Sequence, residues 1–390
     1  MIPGGSTDPA RTNVIIQAHD AHAREGLRKA TLRAHGEVTV DLPIIDAFAT
    51  SVPTQALEQL RATAMQFDSG VRIIPDEIIK LDEPKVEPPP LQAQLHIATQ
   101  AVHLQPVWDA GFKGQGIGIA ILDTGVAPHP DFGNRIVAFQ DFVNGQTAPY
   151  DDKGHGTHVA GIAAGDGTAS AGKYRGAAPE ASIVGVKVMN SEGQGELSNI
   201  IAGIQWAVQN KSTYNIRVIN MSLGGPPSGP AAQDPLAQAA TEATKAGILV
   251  VAAAGNRGPY PGTVDTPAAA PDVLAVGATV DYRTPDLSDD KVAVFSGSGP
   301  TSFDKAVKPD VVASGTNIAT PDMNGRYAYD TGTSMASPLV AGMAALMFQA
   351  SPTLSPDQVK SSLMGGATKI RKYDENIQGK GVVQADRTLV

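Results

Sequence analysis

Gly332-Thr333-Ser334-Met335-Ala336-Ser337-Pro338-Leu339-Val340-Ala341-Gly342 is the stretch whose reading decides the fold. A tight Gly-Thr turn delivers a serine to the first turn of a long helix built from small residues. Unpaired backbone N–H groups and the helix dipole converge at such an end, so negative charge forming beside the Ser334 oxygen is stabilised there. Pro338 fits a first-turn position, where N–H groups lack intrahelical partners. From Met335 to Phe348 the segment is apolar almost all round, which predicts a helix buried on every side. It is too short to span a membrane, which takes about 20 apolar residues. The same residues would also make an ordinary capped core helix, and the stretch alone does not separate the two readings.

Outward from it, strand and helix patterns alternate. Strands are expected at Ile117 to Leu122, Ser182 to Val188, Ile216 to Met221, Ile248 to Ala254 and Val273 to Ala278. Helices are expected at His155 to Ala164, Glu196 to Asn210, Ala231 to Lys245 and Pro356 to Met364. Strands such as Ile248-Leu249-Val250-Val251 are apolar on both faces, as a parallel sheet covered by helices on both sides requires. The fold class is therefore α/β, a doubly wound, mostly parallel sheet. In such sheets the working residues gather at the carboxyl ends of strands. Asp123, Ser222 and Asn256 follow three of these strands and fall along one edge.

Asp123 lies in Leu122-Asp123-Thr124-Gly125-Val126, and His155 in Gly154-His155-Gly156-Thr157-His158-Val159-Ala160-Gly161. With Ser334 they supply a nucleophile, a base and a group to orient that base. A serine hydroxyl needs such a base, and imidazole is mostly neutral at pH 7. A carboxylate holds it in one tautomer and stabilises its protonated form. The Asn256 amide can donate a hydrogen bond to an oxyanion. His155 and His158 also share a helix face, but neither an intervening glutamate nor a third ligand completes a zinc set, so a buried His158 is expected. Ser302-Phe303-Asp304-Lys305 and Gly114-Gln115-Gly116-Ile117-Gly118 match Ser-x-x-Lys and dinucleotide-loop spacings only in part, and both are read as chance.

On these motifs the chain resembles the subtilisin-like serine proteases, with their Asp, His, Ser order and their Asp-Thr-Gly, His-Gly-Thr-His-Val-Ala-Gly and Gly-Thr-Ser-Met-Ala-Ser-Pro signatures. The resemblance runs from about Gly114 to the C-terminus. It implies a serine endopeptidase working through an acyl-enzyme, with Asp123, His155 and Ser334 as the triad and Asn256 in the oxyanion hole. It also implies that Gly193 and Gly195, with Ser222, Leu223 and Gly224, pair with a substrate peptide as added strands, which gives broad specificity. Ala252 to Gly255 would wall the pocket for the side chain before the scissile bond. Asp265 falls near the floor of that pocket, either selecting Lys or Arg or standing as a solvated carboxylate. Met335, beside the nucleophile, would make the enzyme peroxide-sensitive if solvent reached it. No cofactor is implied for the chemistry. Structural calcium is common in the family, and Asp131 matches one of its calcium ligands, but the partner loop Gly165 to Lys173 departs and the metal sites stay open.

Toward the N-terminus, residues 13 to 81 read as strand, helix, strand, strand, helix, strand, an α+β ferredoxin-like plait ending in a strand from Val71 to Leu81. His19, His22 and His35 there are expected at the surface. In the resemblance this plait, 1–81, is a propeptide that assists folding and then inhibits by laying its tail in the cleft. Residues 82–91, Asp-Glu-Pro-Lys-Val-Glu-Pro-Pro-Pro-Leu, form a Pro-rich linker with the expected processing site, and 92–390 the catalytic domain.

The composition sets bounds. With 390 residues, 42% of them hydrophobic, the chain can bury a large core. A formal charge of −9 argues against nucleic acid or an anionic membrane as partner, and zero cysteines exclude a disulfide scaffold, a thiol nucleophile and Cys-ligated zinc. The expected partners are protein or peptide substrates and the chain's own propeptide, on a monomer. The first residues lack the charged start and apolar core of a signal peptide. The resemblance implies an extracellular protein whose leader is absent from this chain. The Gly172-Lys173-Tyr174-Arg175-Gly176 run is instead similar to the intracellular branch of the family, so a cytoplasmic location is the alternative.

Overall fold

The computed structural model describes residues 10–67, 69–84 and 95–389. It divides into two compact units, residues 1–78 with Glu196–Ala202, and 79–195 with 203–390. In the first unit, β1 (Arg11–Gln17), α1 (Ala21–Arg33), β2 (Glu37–Leu42), β3 (Ala47–Pro53), α2 (Leu57–Phe67) and β4 (Arg72–Pro75) follow one another. The four strands form a sheet in the order β2-β3-β1-β4, with β3 and β4 antiparallel to β1. Asp20 caps α1 by accepting from Ala23 N at 2.7 Å. Val14, Ile16, Leu27, Phe48 and Leu60 fill the core between sheet and helices.

The single strand expected from Val71 to Leu81 is two strands. Only β4 pairs with β1, and the ladder stops at Pro75, which has no N–H to donate. After Asp76 and Glu77 the chain resumes as β5 (Ile78–Lys80). Residues 85–91 of the expected linker lie outside the described residues.

After β5 the second unit continues with α3 (Leu95–Ala101) and α4 (Leu104–Asp109). The chain then runs in turn through β6 (Gly118–Asp123), β7 (Ile136–Asp141), α5 (His155–Ala164), β8 (Ser182–Lys187), β9 (Gln194–Glu196), α6 (Leu197–Gln209), α7 (Lys211–Tyr214) and β10 (Ile216–Met221). α8 (Pro235–Lys245), β11 (Leu249–Ala253), β12 (Leu274–Val280), β13 (Lys291–Val292), β14 (Val311–Ser314), β15 (Ile318–Pro321), β16 (Tyr327–Asp330), α9 (Thr333–Ala350) and α10 (Pro356–Gly366) complete it. The main sheet runs β13-β12-β11-β10-β6-β8-β7, with β14 beside β12. Every pairing in it is parallel except β12 with β13. From β6 the chain winds one way through β7 and β8 and the other way through β10, β11 and β12. The point where the winding reverses brings the ends of β6, β10 and β11 side by side.

Two helix details differ from expectation for physical reasons. α8 begins at Pro235 and not at Ala231, because Asp234 caps it by accepting from Leu236 N and Ala237 N at 3.1 and 2.9 Å, and proline suits the first helical position. Pro338 stands sixth in α9, past the first turn. A proline there leaves the carbonyl four residues earlier, that of Ser334, without its helical donor. The Ser222 hydroxyl donates to that carbonyl at 2.9 Å, so the helix keeps its course.

α9 is buried from Thr333 to Phe348, as its apolar pattern predicts. It passes so close to α5 that a Cβ on Gly342 would come within 2.7 Å of the Ala163 carbonyl and 2.5 Å of the Ala177 methyl. Gly342→Ala is expected to lower stability by about 1–3 kcal/mol through overpacking, read as a drop of a few degrees in thermal unfolding. An unchanged or raised midpoint would contradict that close approach.

Candidate active site

The three strand ends deliver what the winding promised. Asp123, the last residue of β6, is fully buried, and its Oδ1 accepts from Thr124 N and from His155 Nδ1, each at 2.7 Å. Its Oδ2 has no partner among the described residues. His155 opens α5, whose first turn is held by Asp151. The Asp151 carboxylate accepts from Gly154 N at 2.8 Å, Thr157 N at 2.9 Å, the Thr157 hydroxyl at 2.7 Å and the Thr124 hydroxyl at 2.9 Å. Lys187, paired with Asp123 across β6 and β8, is fully buried, and its ammonium donates to Thr124 O, Asp152 Oδ1 and Met189 O at 2.6, 2.6 and 2.8 Å. Sequence reading passed over Asp151 and Lys187. Asp151, four residues before His155 at a helix entry, was the available signal.

Ser334 is the second residue of α9 and lines one cleft with His155 and Asn256. Its hydroxyl donates to Ser222 O at 3.1 Å. Asn256 is oriented from the other side. Its Oδ1 accepts from Thr333 N and the Thr333 hydroxyl at 2.9 and 3.0 Å, which turns its Nδ2 into the cleft.

The chain's own residues 81 to 84 line that cleft. Leu81 N donates to Gly193 O at 2.8 Å, and just upstream β5 is paired with β9, which contains Gly195. Gly193 has a φ of +73°, and a Cβ on Gly195 would lie 2.4 Å from the Val188 carbonyl, so both positions demand glycine. Asn256 Nδ2 donates to the Asp82 carbonyl oxygen, and Asn256 N to Asp82 Oδ2 at 2.9 Å. Ser222, Leu223, Gly224 and Ala253 line the small pocket beside Asp82.

Asp265 lines the same pocket, but it is not a solvated carboxylate. Its side chain is 2% exposed and accepts from the Arg257 guanidinium, with Arg257 Nε at 3.0 Å. Burial pushes the Asp265 carboxyl up to about 6, Arg257 opposes the rise and Asp82 adds to it. A lysine or arginine entering the pocket would therefore compete with Arg257. Met335 is 1% exposed, so the condition for its oxidation is not met; the methionine that lines the cleft and is open to solvent is Met323, 39% exposed.

The calcium expectation at Asp131 does not fit the residues present. Asp131 is fully buried, Oδ1 accepts from Ala169 N at 2.7 Å and Oδ2 from the Tyr327 hydroxyl at 2.6 Å, so protein donors occupy both oxygens. His158 is buried, its Nδ1 3.5 Å from Asp330 Oδ2. Ser302 and Lys305 form a plain turn, Lys305 Nζ donating to Ser302 O at 2.7 Å.

A parallel sheet whose strand ends gather a carboxylate-bound imidazole, a serine at a helix start and a side-chain amide defines a serine peptidase. The chain belongs to the Subtilase family, whose profile matches residues 114–381. It is 43% identical over 324 residues to serine protease AprX of Bacillus subtilis (strain 168), covering 77% of this chain and 72% of that protein. It is 41% identical over 280 residues to subtilisin DY of Bacillus licheniformis, covering 71% and 92%. The solved structure of S41 psychrophilic protease superposes with a TM-score of 0.63 at 34% identity, covering 70% of this chain and 92% of that one. The protein is a subtilisin-like serine protease with a subtilisin-like α/β fold.

The charges around His155 set its working range. Burial alone would lower its pKa, but Asp123 outweighs that through charge and hydrogen bond, and Asp330 and Asp151 add to the rise, to about 9. The raised value means that His155 contributes stability that is complete below about 6.5 and lost as pH rises through about 9. With His155 as the base, a role that needs its neutral form, kcat for a peptide that fills the cleft is expected to climb with pH to about 9. Asp330→Asn removes one of the charges and should move that limb down by about 0.5–1 pH unit. An unmoved profile in the variant would contradict the role given to Asp330.

Proposed function

We propose that the chain is a serine endopeptidase made as a self-processing zymogen, cutting peptide bonds through an acyl-enzyme. Ser334 attacks the carbonyl, and His155, held in one tautomer by Asp123, takes its proton and returns it to the leaving amine. Asn256 Nδ2 and the Ser334 N–H carry the oxyanion. The observation that supports this most directly is the contact of Asn256 Nδ2 with the Asp82 carbonyl oxygen, in a cleft shared with Ser334 and His155. A peptide carbonyl at that amide sits where negative charge would develop, so the bond from Asp82 to Glu83 is the one presented for cleavage.

The plait of residues 1–81, released with Asp82 by that cut, then acts as the propeptide and intramolecular inhibitor. The Leu81 to Gly193 hydrogen bond supports an inhibitor tail laid along the substrate strand. Main-chain pairing of this kind reads no sequence, which favours broad specificity toward protein and peptide substrates. One chain supplies every residue invoked, in keeping with a monomer. An extracellular site of action belongs to the reading on the family resemblance, with the cytoplasm as the alternative; among the described residues no helix is long and apolar enough to cross a membrane.

N-terminal sequencing of the wild-type chain after incubation tests the proposal. A new N-terminus at Glu83 is expected, and Ser334→Ala should leave the chain whole. Cleavage that persists in Ser334→Ala would overturn the role of Ser334, and a different new N-terminus would overturn the placement of the scissile bond.

A further inference from the structure

The turn after β12 reads Asp281-Tyr282-Arg283-Thr284-Pro285-Asp286-Leu287-Ser288-Asp289-Asp290, with four carboxylates in ten residues. Two of them are ordinary turn residues. Asp286 accepts from Ser288 N and the Ser288 hydroxyl at 2.9 and 2.8 Å, and Asp289 from the Thr284 hydroxyl at 3.1 Å. Asp281 and Asp290 are different, being 0% and 1% exposed. The antiparallel register of β12 and β13 pairs Thr279 with Val292 and Val280 with Lys291, and its next step sets Asp281 opposite Asp290.

Among the described residues neither oxygen of Asp290 has a partner, nor does Asp281 Oδ2, nor the hydroxyl of Thr279, which is fully buried two residues before Asp281 on the same strand face. Asp281 Oδ1 accepts from Arg283 N at 3.1 Å, and Ser314, paired with Thr279 from β14, hydrogen-bonds the same carboxylate. The neighbouring Lys291 does not neutralise the pair; its ammonium lies 5.0 Å from the Tyr282 ring centroid. Two facing carboxylates out of water, with vacant oxygens and no countercharge, must take up either a proton or a cation.

We propose that Asp281 and Asp290, with the Thr279 hydroxyl, hold a hard divalent cation of the calcium class between β12 and β13. All the vacant donors are oxygens, and neither imidazole nor thiolate is among them, which selects calcium or magnesium over zinc or copper. An irregular set on a turn suits calcium, since magnesium demands near-ideal octahedral geometry. Among the described residues no three His, Cys, Asp or Glu side chains converge as a ready ligand set, so backbone carbonyls and water complete the shell. The position also has a route to the cleft. Thr279 O accepts from Gly315 N at 3.1 Å, and Gly315 O accepts from Gly332 N at 2.8 Å, just ahead of Ser334. A cation at Asp281 and Asp290 would thus tie down the strand on which the Ser334 turn leans.

The test uses the full chain carrying Ser334→Ala, stripped with EDTA, and calcium chloride as the probe. Calorimetric titration should show that adding Asp290→Asn reduces the calcium bound by one per chain. The calcium-dependent rise in Tm, a few degrees in the parent, should shrink with it. In EDTA the Asp290→Asn chain should melt at or above the parent, because it no longer has to bury a second ionisable carboxyl group without a cation. Equal stoichiometry and equal Tm shifts, or a parent that binds no calcium at millimolar concentration, would overturn the site in favour of a shared proton. Should Asp290→Asn not fold, terbium added to the parent provides the reading. Tyrosine-sensitised emission that calcium quenches, and that Tyr282→Phe diminishes, supports the site, and emission unaffected by Tyr282→Phe refutes it.

Discussion

Ser222 and Ser334 exchange a pair of hydrogen bonds on which the rest of the cleft depends. The Ser222 hydroxyl satisfies the Ser334 carbonyl that Pro338 leaves without a helical donor, and the Ser334 hydroxyl donates back to the Ser222 carbonyl. A buried carbonyl left unsatisfied costs about 1–3 kcal/mol, so the proline and the serine have to occur together. The exchange pins the start of a helix buried from Thr333 to Phe348 to the end of a central strand. The imidazole and amide that meet Ser334 in the cleft come from α5 and from the turn after β11, so their geometry is fixed relative to that joint. Asn220 Nδ2 donates to the Ser222 hydroxyl at 2.9 Å, and Ser337 Oγ lies 3.0 Å from it, which leaves Ser222 little freedom to turn away.

Around this joint the protein buries charges and treats each one differently. Lys187 is fully enclosed but has two carbonyls and a carboxylate to donate to. Asp151 spends its oxygens on the entry to α5, which positions His155 without touching its ring. Asp265 is paired with Arg257 inside the pocket beside Asp82, so an acidic residue there does not by itself make a basic-residue specificity. Asp281 and Asp290 alone among these are left with vacant oxygens on both partners, and that difference gives the proposed cation site its force.

The parallel sheet and the gathering of Asp123, Ser222 and Asn256 at one edge were legible because fully buried strands are written as unbroken apolar runs. The Ser334 helix was legible for the same reason, although Pro338 was misplaced, since nothing local reveals a distant hydroxyl standing in for a lost N–H. β7 and β14 escaped notice: the first is a half-buried edge strand without clean alternation, and the second is four residues long. The burial of Asp265 was hidden because its partner Arg257 is eight residues away across a loop. The setting of Asp131 was hidden because Tyr327, its hydroxyl donor, lies 196 residues further on. In each case the local pattern was readable, and the long-range partner that changed its meaning was not.

The central claim is that His155, oriented by Asp123, activates Ser334 above every other serine in the chain. Treating the incubated protein with phenylmethanesulfonyl fluoride and mapping the product by peptide mass spectrometry tests it most directly, because the reagent sulfonylates only an activated hydroxyl. The account predicts one modified residue, Ser334, and no modification in His155→Ala. Sulfonylation at another serine, or equal labelling of Ser334 without the imidazole, would contradict it.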